Sequence, residues 1–267
     1  MSLTGKSPSE TYKDIAYVDN SNNGVTTSLK EVKTGSGSST ALQVSDRSLL
    51  VKSATNNTTA LSIQNASGSS KFLVDTTNDT VKALGVSVNT QYVHFGIGSG
   101  DAVWLGTAAD THYAVPFHTT STIIGQVAMG TSTTSSFNDT NPATSLTITT
   151  LAQYYVLAYW YVPDNITIDA VNWLHAADTA TGEATAAHLM AYTVDIANGS
   201  TSGDLSSGTV VADGANITNA GYEQVYYQSM TIQSADVDAG KVILFTFASD
   251  TINSDYTINA TVKYHIR

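Results

Sequence analysis

The chain contains no cysteine, which excludes a disulfide framework, thiolate catalysis and cysteine-ligated metal sites. Charge is scarce too: 12% of the 267 residues are Asp, Glu, Lys or Arg, about half the usual share. No apolar run reaches the length of a membrane span, so no membrane insertion is expected. The opening Met1-Ser2-Leu3-Thr4-Gly5-Lys6 leads into polar sequence without an apolar h-region, and no Sec-type leader is expected from it. The 11 Lys and Arg residues are scattered and the net charge is −11. Nucleic acid, which needs clustered cations, is therefore not an expected partner, and anionic membranes repel such a chain. A diffuse negative charge keeps an exposed protein soluble.

Ser, Thr, Asn and Gly stand where charged residues usually stand, and Val, Ile, Thr and Tyr are abundant. Short polar side chains compete for backbone hydrogen bonds and favour turns, while β-branched and aromatic residues fit a pleated surface. With 42% hydrophobic residues the chain has material for a sizeable core. The expected class is all-β.

Three segments follow along the chain. Residues 1–38 are polar and broken by Asp19-Asn20-Ser21-Asn22-Asn23-Gly24 and Thr34-Gly35-Ser36-Gly37-Ser38, leaving room only for short extended pieces over 14–18 and 30–33. This segment cannot bury much apolar area alone. Residues 39–115 hold a weak internal echo: Thr40-Ala41-Leu42-Gln43-Val44 then Leu49-Leu50-Val51, against Thr59-Ala60-Leu61-Ser62-Ile63 then Phe72-Leu73-Val74. Each copy reads as strand, polar turn, strand, a hairpin or a rung, and Val81, Leu84, Val86 and Val88 extend the pattern. Such narrow units fit either a stalk in which three chains share a core or an ordinary β-meander. Residues 116–267 carry longer strands, predicted near Tyr154–Val162, Ile166–Ile168, Val171–Leu174, His188–Ile196, Thr209–Ala212, Tyr222–Ile232, Lys241–Phe247 and Tyr256–Ile266. Strands at that spacing without intervening helices predict an antiparallel β-sandwich of jelly-roll type. Ser234–Gly240 is compatible with one helical turn.

Chemical motifs are thin. Of the six histidines, at 94, 112, 118, 175, 188 and 265, no pair has HExxH spacing. His112 and His118 are the nearest to a metal pair, without a third ligand. Asp236 and Asp238 form a DxD without the loop of a calcium site, and turn capping is the simpler role. Gly96-Ile97-Gly98-Ser99-Gly100 lacks the strand–helix setting of a dinucleotide fingerprint. Asp164, Asp178 and Glu183 show nothing of a glycosidase pair in sequence. No cofactor, metal or catalytic residue is assigned, and the chain is not expected to be an enzyme. Asn-x-Ser/Thr triplets at Asn57, Asn65, Asn165, Asn216 and Asn259 arise by chance in this composition. Tyrosines are the remaining candidates. For Tyr154-Tyr155, Tyr159-Trp160-Tyr161, Trp173, Tyr222, Tyr226 and Tyr227 two readings stand: inward members of an alternating strand are core, and outward tyrosines stack on sugars or fill an oligomer interface, with Tyr222, Tyr226 and Tyr227 the candidate oligomer or ligand contacts.

The opening Leu3-Thr4-Gly5-Lys6-Ser7-Pro8-Ser9-Glu10-Thr11-Tyr12-Lys13-Asp14, followed by Val18-Asp19-Asn20-Ser21-Asn22-Asn23-Gly24, resembles the N-terminal segment of structural proteins of tailed bacteriophages, marine ones especially. Thr40-Ala41-Leu42-Gln43-Val44-Ser45 and Phe72-Leu73-Val74-Asp75-Thr76-Thr77-Asn78 fit the same pattern. The likeness covers roughly the first 85 residues, and Val162–Asp169 and Ala239–Arg267 resemble β-sandwich knobs of such proteins. The resemblance implies an N-terminal part that docks on the particle, through Tyr12, Lys13, Tyr17, Asp19 and Asn20, and a displayed C-terminal part. It implies a homotrimer, synthesised in a host bacterial cytoplasm and placed on the virion surface against a major capsid or tail protein. Decoration, cement or head-fibre function is expected, with a tail-fibre adhesin for a host-surface glycan or protein receptor as the alternative.

Overall fold

The computed structural model of the chain describes residues 16–21, 23–97, 108–120, 128–130, 142–146, 156–177, 182–194, 204–221, 224–251 and 256–267. All regular elements among them are β-strands. The chain divides into two compact units, Met1–Val88 and Asn89–Arg267.

The smaller unit contains two four-stranded antiparallel meanders. The first is built from β1 (Ala16–Val18), β2 (Lys30–Thr34), β3 (Ser39–Val44) and β4 (Leu49–Val51), the second from β5 (Leu61–Gln64), β6 (Ser70–Asp75), β7 (Thr80–Ala83) and β8 (Val86–Ser87). The echo seen in the sequence corresponds to the hairpins β3–β4 and β5–β6. Their turns are set locally. Gly37 and Gly68 supply positive φ, and the Asn65 carboxamide accepts the Ser69 N–H. The Asp75 carboxylate accepts the Asn78 side chain and the N–H groups of Asn78 and Thr77, and these bonds hold its pKa below the usual range. Leu84 and Gly85 form the two-residue turn between β7 and β8, with φ of 52° and 84°. That is the backbone of a type I′ turn, which normally takes Asn or Gly first.

Registration puts apolar side chains on one face of each small sheet. Leu42 pairs with Val51 and Val44 with Leu49 in the first. Leu61 pairs with Val74, Ile63 with Phe72 and Val81 with Val74 in the second. Among the described residues of this unit no hydrophobic side chain is buried; Leu49 is 67% exposed and Ile63 57%.

The larger unit is different. An eight-stranded sheet runs β12 (Ala128–Gly130), β10 (His112–Val115), β21 (Lys241–Ser249), β15 (Ala184–Val194), β16 (Leu205–Asp213), β19 (Thr231–Ile232), with β13 (Trp160–Tyr161) on β21 and β17 (Ile217–Thr218) on β15. A six-stranded sheet runs β11 (His118–Thr120), β9 (Thr90–Ile97), β22 (Tyr256–Ile266), β14 (Ile166–Ala177), β18 (Gln224–Ser229), with β20 (Asp236–Val237) on β14. Pairing is antiparallel except between β9 and β11. Side chains from both sheets enter one buried cluster. Phe95 stacks on Phe245 at 6.1 Å, and Trp173 meets Phe247 edge-on at 5.7 Å, geometries in which ring edges and faces attract.

The burial patterns explain the sequence patterns. β14 and β22 alternate buried and exposed residues, having one face in the core. β15 and β21 are buried along nearly their whole length, since their second face lies under a further cluster of Met129, Ala158, Tyr192 and Leu244. A strand covered on both sides reads as a continuous apolar run.

Several boundaries differ from expectation. The large unit begins at Asn89 and not at 116, because β9 pairs with β22 over eight residues. Ile166–Ile168 and Val171–Leu174 belong to one strand, joined through an irregularity between Ile168 and Ala170. The strand expected over 222–232 splits at buried Met230: β18 stays in the six-stranded sheet and β19 joins the other. Of the strand expected over 154–162 only Trp160–Tyr161 is extended among the described residues. Asp236–Val237 is a strand paired with β14, not a helical turn. Phe245, with no exposed surface, is central to the packing. Phe245→Ala is expected to cost about 3–5 kcal/mol in chemical denaturation, against less than about 0.5 kcal/mol for Tyr161→Ala, whose side chain is 54% exposed.

Candidate functional site

The predicted docking residues that can be placed lie on β1 and the loop after it. Tyr17 is 41% exposed and sits opposite Lys33. Asp19 and Asn20 make local contacts: the Asp19 carboxylate binds the Lys33 ammonium at 2.6 Å, and Asn20 Nδ2 donates to the Gly24 carbonyl at 2.8 Å. Asp19 raises the Lys33 pKa by that hydrogen bond and by charge. These two residues shape the β1–β2 connection. Tyr12 and Lys13 lie outside the described residues, as does Tyr222.

Neighbouring tyrosines on β18 point to opposite sides, as strand periodicity requires. Tyr226 turns toward the core, where its ring stacks on His175 at 5.1 Å and its hydroxyl accepts the Ala220 N–H at 2.6 Å. One ring face is therefore occupied. Tyr227 turns outward, 64% exposed, and its hydroxyl donates to Asn172 Oδ1 at 2.8 Å.

Tyr227 stands in a small grid on the outer face of the six-stranded sheet. Register aligns Val225, Ala176 and Thr257 in one cross-strand row, Tyr227, Leu174 and Asn259 in the next, and Ser229, Asn172 and Thr261 in the third. None of the nine is charged, and Val225, Tyr227 and Leu174 are the exposed large apolar members. Further along lie Tyr92, 59% exposed, His94 bonded to Thr261 at 3.1 Å, and the His265–Asp169 pair at 3.0 Å.

The inner side of the same strands ends in a buried polar network. Tyr256 donates to Glu183 Oε2 at 2.7 Å, Asn219 Nδ2 donates to the Tyr256 oxygen at 3.3 Å, and His175 Nε2 lies 3.4 Å from both Asn219 Oδ1 and Thr185 Oγ1. His175, Asn219, Tyr256 and Glu183 are all buried. Sandwiched between Trp173 and Tyr226, His175 is desolvated and its pKa falls to about 4. Burial likewise lowers His188 to about 4. His188 meets His112 edge-on at 4.7 Å, and His112 Nδ1 lies 3.1 Å from Thr246 Oγ1. The sequence pairs His112 with His118, whereas the residue it touches, His188, lies five strands on in the chain; only the β10–β21–β15 order brings His188 near. Neutral imidazoles closed off from solvent brace packing and offer no surface to a substrate.

Asp236 and Asp238 bind the two guanidinium nitrogens of Arg267, each at 3.2 Å, pinning the last residue. Among the described residues no three His, Asp or Glu side chains converge as a metal site. In the smaller unit a cleft of about 340 Å³ has Val51, Ala60, Leu61 and Val74 among its lining residues. No protein-family model matches the chain, and no curated protein matches it.

The buried histidines make stability pH-dependent. Unfolding lifts both pKa values from about 4 to about 6.5, so between those values the unfolded chain binds more protons and stability rises with pH. The contribution is fully present near neutrality and is lost as pH falls toward 4. Asp250, its pKa raised mainly by desolvation, opposes the trend. Urea denaturation followed by tryptophan fluorescence is expected to show about 2 kcal/mol less stability per histidine at about pH 5 than at about pH 7.5. His175→Gln, which cannot take up the proton, is expected to remove about half of that histidine-linked slope.

Proposed function

We propose that the protein is a non-enzymatic structural component of a tailed-bacteriophage particle, a homotrimeric capsid decoration, cement or head-fibre protein. Its smaller unit associates with other copies and docks on a capsid or tail protein, and its larger unit, an antiparallel β-sandwich of jelly-roll type, is displayed. The observation that carries this reading is the missing core of the smaller unit: eight strands with one apolar face per sheet and no buried hydrophobic side chain among its described residues. Conformational entropy of ordering eight strands has to be offset by burial, and a single copy leaves even Phe72, Val74 and Val81 only half-buried.

Equal copies supply the missing cover at fixed stoichiometry. Two stacked copies would leave the edge strands of each sheet open, whereas three around an axis enclose a common core under closed symmetry and limit runaway edge pairing. Leu84 supports a contact role. It is 75% exposed at a positive φ, a position that favours Asn, and local rules are broken where a side chain is retained for another purpose. The sequence likeness to virion proteins over the same unit points to the particle as the setting. The adhesin alternative is favoured by one feature, the uncharged grid around Tyr227.

Sedimentation equilibrium of the full chain is expected to give three times the 28.1 kDa chain mass. Ile63→Asp, which places a charge on the uncovered face, is expected to yield monomers with an unchanged head transition. Leu84→Asn is expected to weaken association while improving the local turn. A monomeric wild-type protein with a folded smaller unit would overturn the assembly. Copy number and position on purified particles, read by cryo-electron microscopy, separate shell decoration (many copies over the capsid) from a tail fibre (few copies at one vertex); absence from particles ends the virion reading.

A further inference from the structure

We infer that the outer face of the six-stranded sheet, around Tyr227, Leu174 and Asn259, is a binding site for a neutral carbohydrate chain. The inference names the ligand class for the face on which the adhesin alternative rests. It is tested on the protein by itself, so it can fail while the particle reading stands, and the reverse.

Three properties of the face select the ligand. First, it presents an aromatic ring already fixed in place. Tyr227 is 64% exposed, and its hydroxyl donates to Asn172 Oδ1 at 2.8 Å, so little side-chain freedom is lost on binding. The exposed ring face carries the negative side of the aromatic quadrupole, to which the polarised C–H face of a pyranose is complementary. Second, the groups beside the ring are amides and hydroxyls. Asn259 lies one strand beyond Leu174 in the same row, and Thr257 lies beside it on β22. Both are exposed, and neither side chain hydrogen-bonds to another described residue. A carboxamide offers a donor and an acceptor on one plane, matching adjacent sugar hydroxyls.

Third, the alternatives fit poorly. The row from Tyr227 to Asn259 crosses two strand spacings, roughly 10 Å, the span of a short oligosaccharide. Its large apolar part is three side chains, against the roughly 20–30 residues a side of a stable protein interface. No charged group lies in the grid, Lys263 standing beyond Thr261 on the same strand face, and a net charge of −11 repels an anionic polymer.

The test is affinity electrophoresis of the full chain through gels containing dextran, yeast mannan or laminarin as neutral polymers and alginate as the anionic one. Retardation in at least one neutral gel is expected, with apparent affinity reduced at least roughly tenfold by Tyr227→Ala and unchanged by Tyr161→Ala on the other sheet. Asn259→Asp, which keeps shape and adds charge, is expected to weaken binding as well and serves if Tyr227→Ala misfolds. Absence of retardation in all three neutral gels overturns the inference. So does retardation indifferent to both substitutions, or retardation by alginate alone. A change of sedimentation on Tyr227→Ala without retardation identifies the face as a contact between copies and equally overturns it.

Discussion

The packing of aromatic and aliphatic side chains between the two large sheets decides what each part of this chain can do. Phe245 and Phe247 on β21 meet Phe95, Trp173 and Tyr256 from the opposite sheet. Burial at this scale offsets the entropy of ordering the long strands β14, β15, β21 and β22. Once these strands are fixed, alternation places the next residues along each strand on the outer faces without choice. Tyr227 is exposed because Tyr226 is needed on His175, and Leu174 is exposed because Trp173 and His175 are inside. The outer grid is the complement of the core.

The smaller unit lacks that constraint and so inverts the problem. Its strands are two to six residues long, too short to let one sheet fold over another, and its apolar side chains stay at the surface. Turn chemistry at Gly37, Asn65 and Asp75 defines where the chain reverses, but turns only reduce the cost of pairing; they do not remove apolar faces from water. A surface that must be covered for the unit to be stable is an obligate one, and such interfaces resemble a domain core divided among subunits. The two units therefore differ in physics: one buries a large apolar core of its own, and the other leaves its apolar faces uncovered among the described residues.

Much of this was legible in the residues. Alternation in Leu42–Val44 and Leu61–Ile63 located the hairpins, and the apolar run of 242–247 located a central strand. What sequence could not supply was pairing across distance. β9 is a clean alternation of Val93, Phe95 and Ile97, but a glycine at 96 and the loop-like composition after it hid a strand whose partner residues lie 161 to 175 positions away. Met230 carries no turn signal, yet the chain changes sheet just after it: the Met230 N–H still bonds the Val171 carbonyl of β14, and Thr231 and Ile232 already pair with β16. His188 reaches His112 only through the strand order, which is a property of topology. Tyr226 and Tyr227 were both candidates by composition, and a single fact of register separated them.

Those same distances explain why the polar interior is tolerable. Glu183, Tyr256, Asn219 and His175 come from separate strands and loops, and each satisfies its neighbour. The network, in which only His175 Nδ1 is left without a hydrogen-bond partner, favours one register of β14 against β22 and β18, because a one-residue slip would move His175 to the surface and Leu174 to the core. The same slip would carry Tyr227 inward and dissolve the outer grid. The buried imidazole, held neutral between two rings, thus fixes the alignment on which the exposed face depends, and any acid strong enough to charge it loosens the packing and the face together.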